Sequence, residues 1–136
     1  MANEAPINFQ RTFTAGADLS ANQYKFVKLD SSGNIVACSA TTDIPIGVQQ
    51  NNPSASGRAV VVMLQGVTKM VASAAISIGA AIGTSSGAKA VSLTFPTSGT
   101  YAAPTVYVGG RALTAASADG DVFTAIVDCA RPSRLA

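Results

Sequence analysis

Chemistry at protein sites is usually carried by histidine, cysteine, paired carboxylates or phosphate-cradling glycines, and this chain is poor in all of them. Its 136 residues contain no histidine. That removes the commonest general base and the commonest transition-metal ligand. The two cysteines, Cys38 and Cys129, lie far apart in no CxxC spacing. A thiol nucleophile needs a neighbouring base, and two thiols alone do not build a zinc site. Asp30, Asp43 and Asp128 offer carboxylates for acid–base work, but no spacing in the sequence pairs them. In "SADGDVF", Asp119 and Asp121 stand two apart as in a calcium loop. The third oxygen position and the closing bidentate glutamate are missing, so a tight turn is the expectation. "GTSSGAKA" (83–90) has glycines and a lysine without the Walker spacing. The expectation is no enzyme: catalytic residues none, metal none, cofactor none.

Charge excludes further classes. Nine basic and seven acidic residues give a net charge of +2, and charged residues are only 12% of the chain. Soluble proteins usually carry about 25%. The charges are scattered, with a slight basic bias in the last residues, Arg131 and Arg134. No basic stripe suited to nucleic acid is present. The longest weakly polar run, 70–83, is too short and too interrupted by Ser and Gly to span a bilayer. The opening "MANEAPINFQ" has Glu4 and no apolar core, so no secretory signal is expected and the cysteines are expected to be unbridged. A low-charge surface rich in Ala, Ser, Thr and Gly suits a chain packed against copies of itself or another protein.

The elements read as β throughout. "QYKFVKLDSSGNIVAC" (23–38) has strand alternation on both sides of a turn at "DSSGN". "IGVQQN" (46–51) is a short strand. "RAVVVMLQG" (58–66) is the strongest, because consecutive β-branched valines favour a pleated, buried surface. "VTKMVA" (67–72) continues it. The 73–93 stretch reads as loop, short strand, turn at "TSSG" and strand at "AKAVSL". The stretch 95–104, with two prolines, reads as an exposed loop. "TVYVGGRALTAA" and "DVFTAIVDC" (121–129) close the domain as a hairpin. The expected core is Tyr24, Phe26, Val27, Leu29, Ile35, Val36, Val48, Val60, Val62, Leu64, Val67, Val106, Val108, Val122, Phe123, Ile126 and Val127. Gly33, Gly57, Gly87 and Gly120 are the expected turn residues, several at positive φ.

The chain repeats itself. "IGVQQNNPSASGRAVVVML" (46–64) overlays "GGRALTAASADGDVFTAIV" (109–127) at a constant offset of 63, matching Gly47/Gly110, Ser54/Ser117, Ala55/Ala118 and Gly57/Gly120. The turn "DSSGNIVA" (30–37) is echoed by "TSSGAKAV" (84–91). Duplication and a shared solution to hairpin geometry both account for this. The expected fold class is all-β: a small single-domain barrel or sandwich of short antiparallel strands and hairpins with an extended N-terminal arm. The divisions are an arm at 1–18, a β domain at 19–130 and a tail at 131–136.

The arm contains the candidate binding residues. Ile7, Phe9, Arg11 and Phe13 alternate with polar neighbours, so a short strand is plausible there. Three apolar side chains in a terminal segment must dock on the arm's own domain or on a neighbour. By adding to a neighbouring sheet edge, such an arm gains affinity from main-chain hydrogen bonds.

Taken in order, "YKFVKLDSSGNIVACSATTDIPIGVQQ", "SGRAVVVMLQGVTKMVA", "IGTSSGAKAV" and "GRALTAASADGDVFTAIV" resemble the small capsid decoration, or cement, proteins of tailed bacteriophages. The likeness covers about residues 20–130 and rests on the order and spacing of common β motifs. It departs at 92–108. The resemblance implies a β-rich protein made in the host cytoplasm that binds the outside of an assembled head. It further implies trimers that clamp adjacent major capsid protein subunits and stabilise the capsid. On this reading the partners are the major capsid protein and the chain itself, and Ile7, Phe9, Arg11 and Phe13 are candidate capsid contacts. The alternative is a host-attachment or fibre-associated β-module that binds a glycan or receptor. Glycan sites favour aromatic platforms, and the chain has no Trp and only three Tyr.

Overall fold

A computed structural model of the chain describes residues 8–94 and 106–130, and the backbone of 133–134. The anticipated loop at 95–104 lies outside the described residues. Eleven strands and no helix occur among the described residues. In chain order they are β1 (Phe9–Thr14), β2 (Phe26–Leu29), β3 (Ile35–Ala37), β4 (Gly47–Gln49), β5 (Ala59–Val71), β6 (Ala81–Thr84), β7 (Ala90–Ser92), β8 (Tyr107–Val108), β9 (Gly110–Ala112), β10 (Val122–Asp128) and β11 (Ser133–Arg134). The all-β expectation holds. One sheet runs β3-β2-β4-β5-β10-β9-β6-β7, with β1 also paired to β5, and β11 pairs β8 separately.

The valine-rich run forms a single 13-residue strand, β5, and organises everything else. Its first half pairs with β1 and β4 at the same residues, Val62 and Met63, so those strands lie on opposite edges. Its second half, from Gln65 to Val71, pairs with β10. Parallel bridges Ala15–Ile35 and Ala72–Ala90 then bring β1 against β3 and β5 against β7. Each half of the molecule thereby wraps into a small five-stranded barrel, and β5 is the last strand of the first and the first strand of the second.

The two halves are the same structure written twice. Val48 pairs with Met63, as Arg111 pairs with Ile126. Val27 pairs with Gly47 and Ala37, as Ile82 pairs with Gly110 and Ser92. Arg11 pairs with Val62, as Thr68 pairs with Ala125. The connecting hydrogen bonds repeat too: Ala15 and Ala72 donate to Arg58 and Asp121, and Gly57 and Gly120 return bonds to Ala15 and Ala72, all at 2.8 Å. Gly47 and Gly110 show why the shared glycines are there. A Cβ on Gly47 would run into the carbonyl oxygen of Met63, and one on Gly110 into that of Ile126. Only glycine lets the two backbones approach that closely.

Both barrels have matching interiors. Ala15, Leu19, Val27, Ile35, Val60 and Val62 fill the first. Ala72, Ile76, Ile82, Ala90, Phe123 and Ala125 occupy the same places in the second. Burying each larger side chain contributes roughly 1.5–3 kcal/mol. Alternation along β5 sends Val60 and Val62 into the first barrel, while Met63, on the opposite face, joins the second cluster with Phe26, Cys38 and Val48. Both faces of the valine run are therefore used.

The expected core needs correction where strands face water. Leu29, Val67, Val122 and Ile126 are exposed, and Tyr24, Val36, Leu64, Val106 and Val108 are only half-buried. Met63, Met70, Ile76, Ile82 and several alanines are the core residues not anticipated. Gly33, Gly57 and Gly120 are at positive φ as expected, but Gly87 is not. In that turn Ala88 takes φ +65. Its N–H closes on the Ser85 carbonyl at 3.1 Å, as the Gly33 N–H closes on Asp30 at 3.1 Å. The repeat is thus one residue out of step with the sequence match of "DSSG" to "TSSG".

Candidate docking surface

Most of the carboxylates that sequence offered for chemistry are committed to turns and ion pairs; Asp128 accepts from the Gln65 amide at 3.4 Å through Oδ2, while its Oδ1 is buried without a partner among the described residues. Asp30 accepts the amides of Ser32 and Asn34 and so fixes the β2–β3 turn. Asp43 accepts the Ser39 and Ala40 amides and pairs with the Lys28 ammonium at 2.8 Å. Burial pushes the Asp43 carboxyl up, but Lys28 and the two amides outweigh it and hold the group below the usual carboxylate range. Asp121 accepts the Ser117 and Ala118 amides, and Asp119 pairs with Lys89 at 2.8 Å. "SADGD" is therefore a turn. Among the described residues no three His, Cys, Asp or Glu side chains come together as metal ligands. Cys38 and Cys129 are buried free thiols. Burial pushes each up to about 12, so neither is a thiolate near neutral pH.

What the surface does present is β1. Sequence makes it a strand through alternation of Phe9, Arg11 and Phe13 with Gln10, Thr12 and Thr14. One edge is laddered to β5 from Phe9–Gln65 to Thr14–Ala59. Among the described residues the other edge meets only the bridge from Ala15 to Ile35 and the bond from Gly16 to the Ile35 carbonyl, at the strand's C-terminal end. Alternation from that end turns the main-chain groups of Gln10, Thr12 and Thr14 outward. Five of the six β1 residues are exposed. Phe9 is 55% exposed. The Arg11 guanidinium lies 5.1 Å from the centre of the Phe13 ring, a cation–π pair that holds both side chains along the strand. Phe13 is half-buried and packs against the first barrel's interior. Asn8 anchors the start of the strand by accepting the Val67 amide at 3.2 Å.

The structure thus brings Phe9, Arg11 and Phe13 onto one strand of the chain's own sheet. Ile7 lies outside the described residues. Sequence reasoning missed a second exposed apolar group. Leu29 and Ile44 are 44% and 51% exposed and border a cleft shared with Pro45, Ile46, Cys129 and Ala130. Leu29 alternates like a core residue, and nothing in the sequence marks which end of the β2–β3 hairpin faces out. Ile78, Leu113 and Ile126 are exposed on the second barrel.

The chain matches the family described as phage cement protein over residues 7–128. Among curated proteins none matches. Among solved structures, the N base of the head fiber gp8.5 of bacteriophage phi29 is similar with a TM-score of 0.61 and 18% identity. The similarity covers 96% of this chain and 99% of that one, and at this identity it is a likeness of fold. The chain belongs to the phage cement protein family and is a structural, capsid-associated protein of the virion.

Proposed function

We propose that this phage cement protein binds the outer surface of the assembled head and stabilises it by bridging neighbouring major capsid protein subunits. It works without catalysis or cofactor, as a homotrimer made in the host cytoplasm. The arm supplies the capsid contact through Phe9, Arg11 and Phe13, with Ile7 just before them. One observation carries the reading: among the described residues, β1 is exposed on both faces and open along most of one edge. An edge strand with exposed aromatics is costly to leave bare and is suited to pairing with another chain. Bridging then follows from multivalency. Each oligomer offers several modest contacts, and their linkage raises the overall affinity well above that of any one. The hydrogen-bonded turn carboxylates and repeated barrels give a rigid body, so little ordering opposes the docking.

The test uses Phe9→Asp, because Phe9 is exposed and far from either barrel interior. Binding to undecorated heads is expected to fall at least tenfold while the melting temperature of the free protein stays within a few degrees. Undiminished binding overturns the contact assignment. A second reading, a fibre-associated module that engages a host glycan or receptor, is favoured by the likeness in fold to a head-fiber base. It predicts that the purified protein binds host cells and that Phe9→Asp leaves capsid binding intact.

A further inference from the structure

The internal repeat makes the contact between the two barrels a template for a contact between molecules. In the internal contact the Val71 N–H, on β5, donates to the Tyr24 carbonyl at 3.0 Å. The Phe26 N–H donates to the Ala88 carbonyl at 2.8 Å. The Phe26 ring lies so close over Gly109 that a Cβ there would stand 2.8 Å from it. Cys38 reaches Thr84 across the same seam.

Each of these residues has a counterpart through the repeat. Val71 corresponds to Thr14, Ala88 to Gly33, Gly109 to Ile46 and Thr84 to Leu29, all on the first barrel. Tyr24 corresponds to Gly79, Phe26 to Ala81, Cys38 to Leu93 and Met63 to Ile126, all on the second. The match extends to backbone detail. Tyr24 and Gly79 both sit at positive φ, +60 and +80. Their N–H groups donate at 2.8 Å to Gln49 and Ala112, themselves a corresponding pair.

The first barrel therefore has a receiving face, and the second a donating face, and the rims of both are exposed among the described residues. Leu29 on the former is 44% exposed and Ile126 on the latter 46%. Their counterparts Thr84 and Met63 are 2% exposed in the internal contact. Between copies, Leu29 and Leu93 replace the Thr84–Cys38 pair. Along the open edge of β1, Thr14 presents its N–H as Val71 does internally.

We propose that the receiving face, Thr14, Leu29, Gly33 and Ile46, docks the donating face, Gly79, Leu93 and Ile126, of a second copy of this chain. The contact is heterologous, because two different faces meet. Three such contacts close the trimer. Arg111 stands where Val48 stands internally, so the contact between copies is the more polar and weaker of the two. This deepens the oligomeric part of the reading above and does not depend on capsid binding.

Sedimentation velocity of the purified full chain, without heads, tests it. The wild type is expected to associate with rising concentration. Leu29→Asp and Ile126→Asp are each expected to weaken that at least tenfold with unchanged melting. The mixture discriminates. Each variant keeps one intact face, so equimolar Leu29→Asp and Ile126→Asp are expected to form a one-to-one heterodimer that neither forms alone. If an aspartate variant loses its fold, Leu29→Ser and Ile126→Ser are read in the same way. A monomeric wild type, variants that assemble like the wild type, or a mixture that stays monomeric overturns the proposal. Because no capsid is present, any of these leaves the reading of head attachment to its own test.

Discussion

β1 and the second half of β5 are counterparts, and they differ in almost everything except geometry. Both open a barrel, both ladder antiparallel to the barrel's last strand, and both end in a buried alanine, Ala15 or Ala72, bridged to the third strand. Yet Met70 on β5 is fully buried while Phe13, in the equivalent place, is half-exposed. Thr68 is buried and Arg11 exposed. The difference is positional. The second barrel has the first packed on it; among the described residues nothing lies in front of the first. Exposure of β1 thus reflects its place at the head of the series.

The comparison breaks most severely at the glycines the halves share. Gly47→Val and Gly110→Val are each expected to destabilise by roughly 3 kcal/mol or more, since a side chain must displace a facing strand's backbone carbonyl. Chemical denaturation of the two variants checks this. A tolerated valine at only one site means that the halves do not close alike. The next effect separates the counterpart strands. Met70→Ala is expected to cost roughly 2–5 kcal/mol through loss of a buried side chain. Phe13→Ala is expected to cost about 1 kcal/mol, because much of that ring already faces water. Equal costs would mean that β1 is covered in the free protein.

How far the sequence reveals this design depends on which residues carry the repeat. Gly47/Gly110 and Gly57/Gly120 are legible because geometry admits no other residue as easily, so the second half of each repeat stands out. The first strands share no such constraint. Phe13 and Met70 are both apolar, but Arg11 answers to Thr68 and Thr12 to Lys69, so no identity betrays the pairing of β1 with β5. A single run from Arg58 to Ala72 reads as one strand, and its membership in two barrels is a tertiary fact. The core list fails for a related reason. Alternation names two faces without saying which is wet, and a β-branched residue such as Val67 or Val122 reads the same on either. For the docking surface, the aromatics of β1 are visible as exposed candidates. The Leu29 and Ile126 faces emerge only when the barrels are superimposed by their hydrogen bonds.

The smallest effect lies in the two corresponding turns, where sequence similarity points to the wrong residue. Gly33 and Ala88 occupy the same left-handed position, at φ +79 and +65. An L-residue with a Cβ pays about 1–2 kcal/mol there. Gly33 is open to solvent on its Cβ side, with nothing within 4 Å. Gly33→Ala therefore meets only the backbone penalty and is expected to cost about 1 kcal/mol. Ala88 is 1% exposed, packed in the second core cluster, with its carbonyl bound by Phe26. Ala88→Gly relieves the backbone penalty of about 1 kcal/mol and loses one buried methyl, worth about 0.8 kcal/mol. Its net effect is expected to be near zero. Gly87, which the sequence match would nominate instead, has ordinary φ and a Cβ position whose nearest neighbour is the Ser85 hydroxyl at 4.0 Å. Gly87→Ala is accordingly expected to be neutral or slightly stabilising, since it restricts the unfolded chain without strain. Thermal melts of the three variants decide the register. If Gly87→Ala costs more than Gly33→Ala, the turns align as "DSSG" on "TSSG", and the hydrogen-bond correspondence between the barrels slips by one residue.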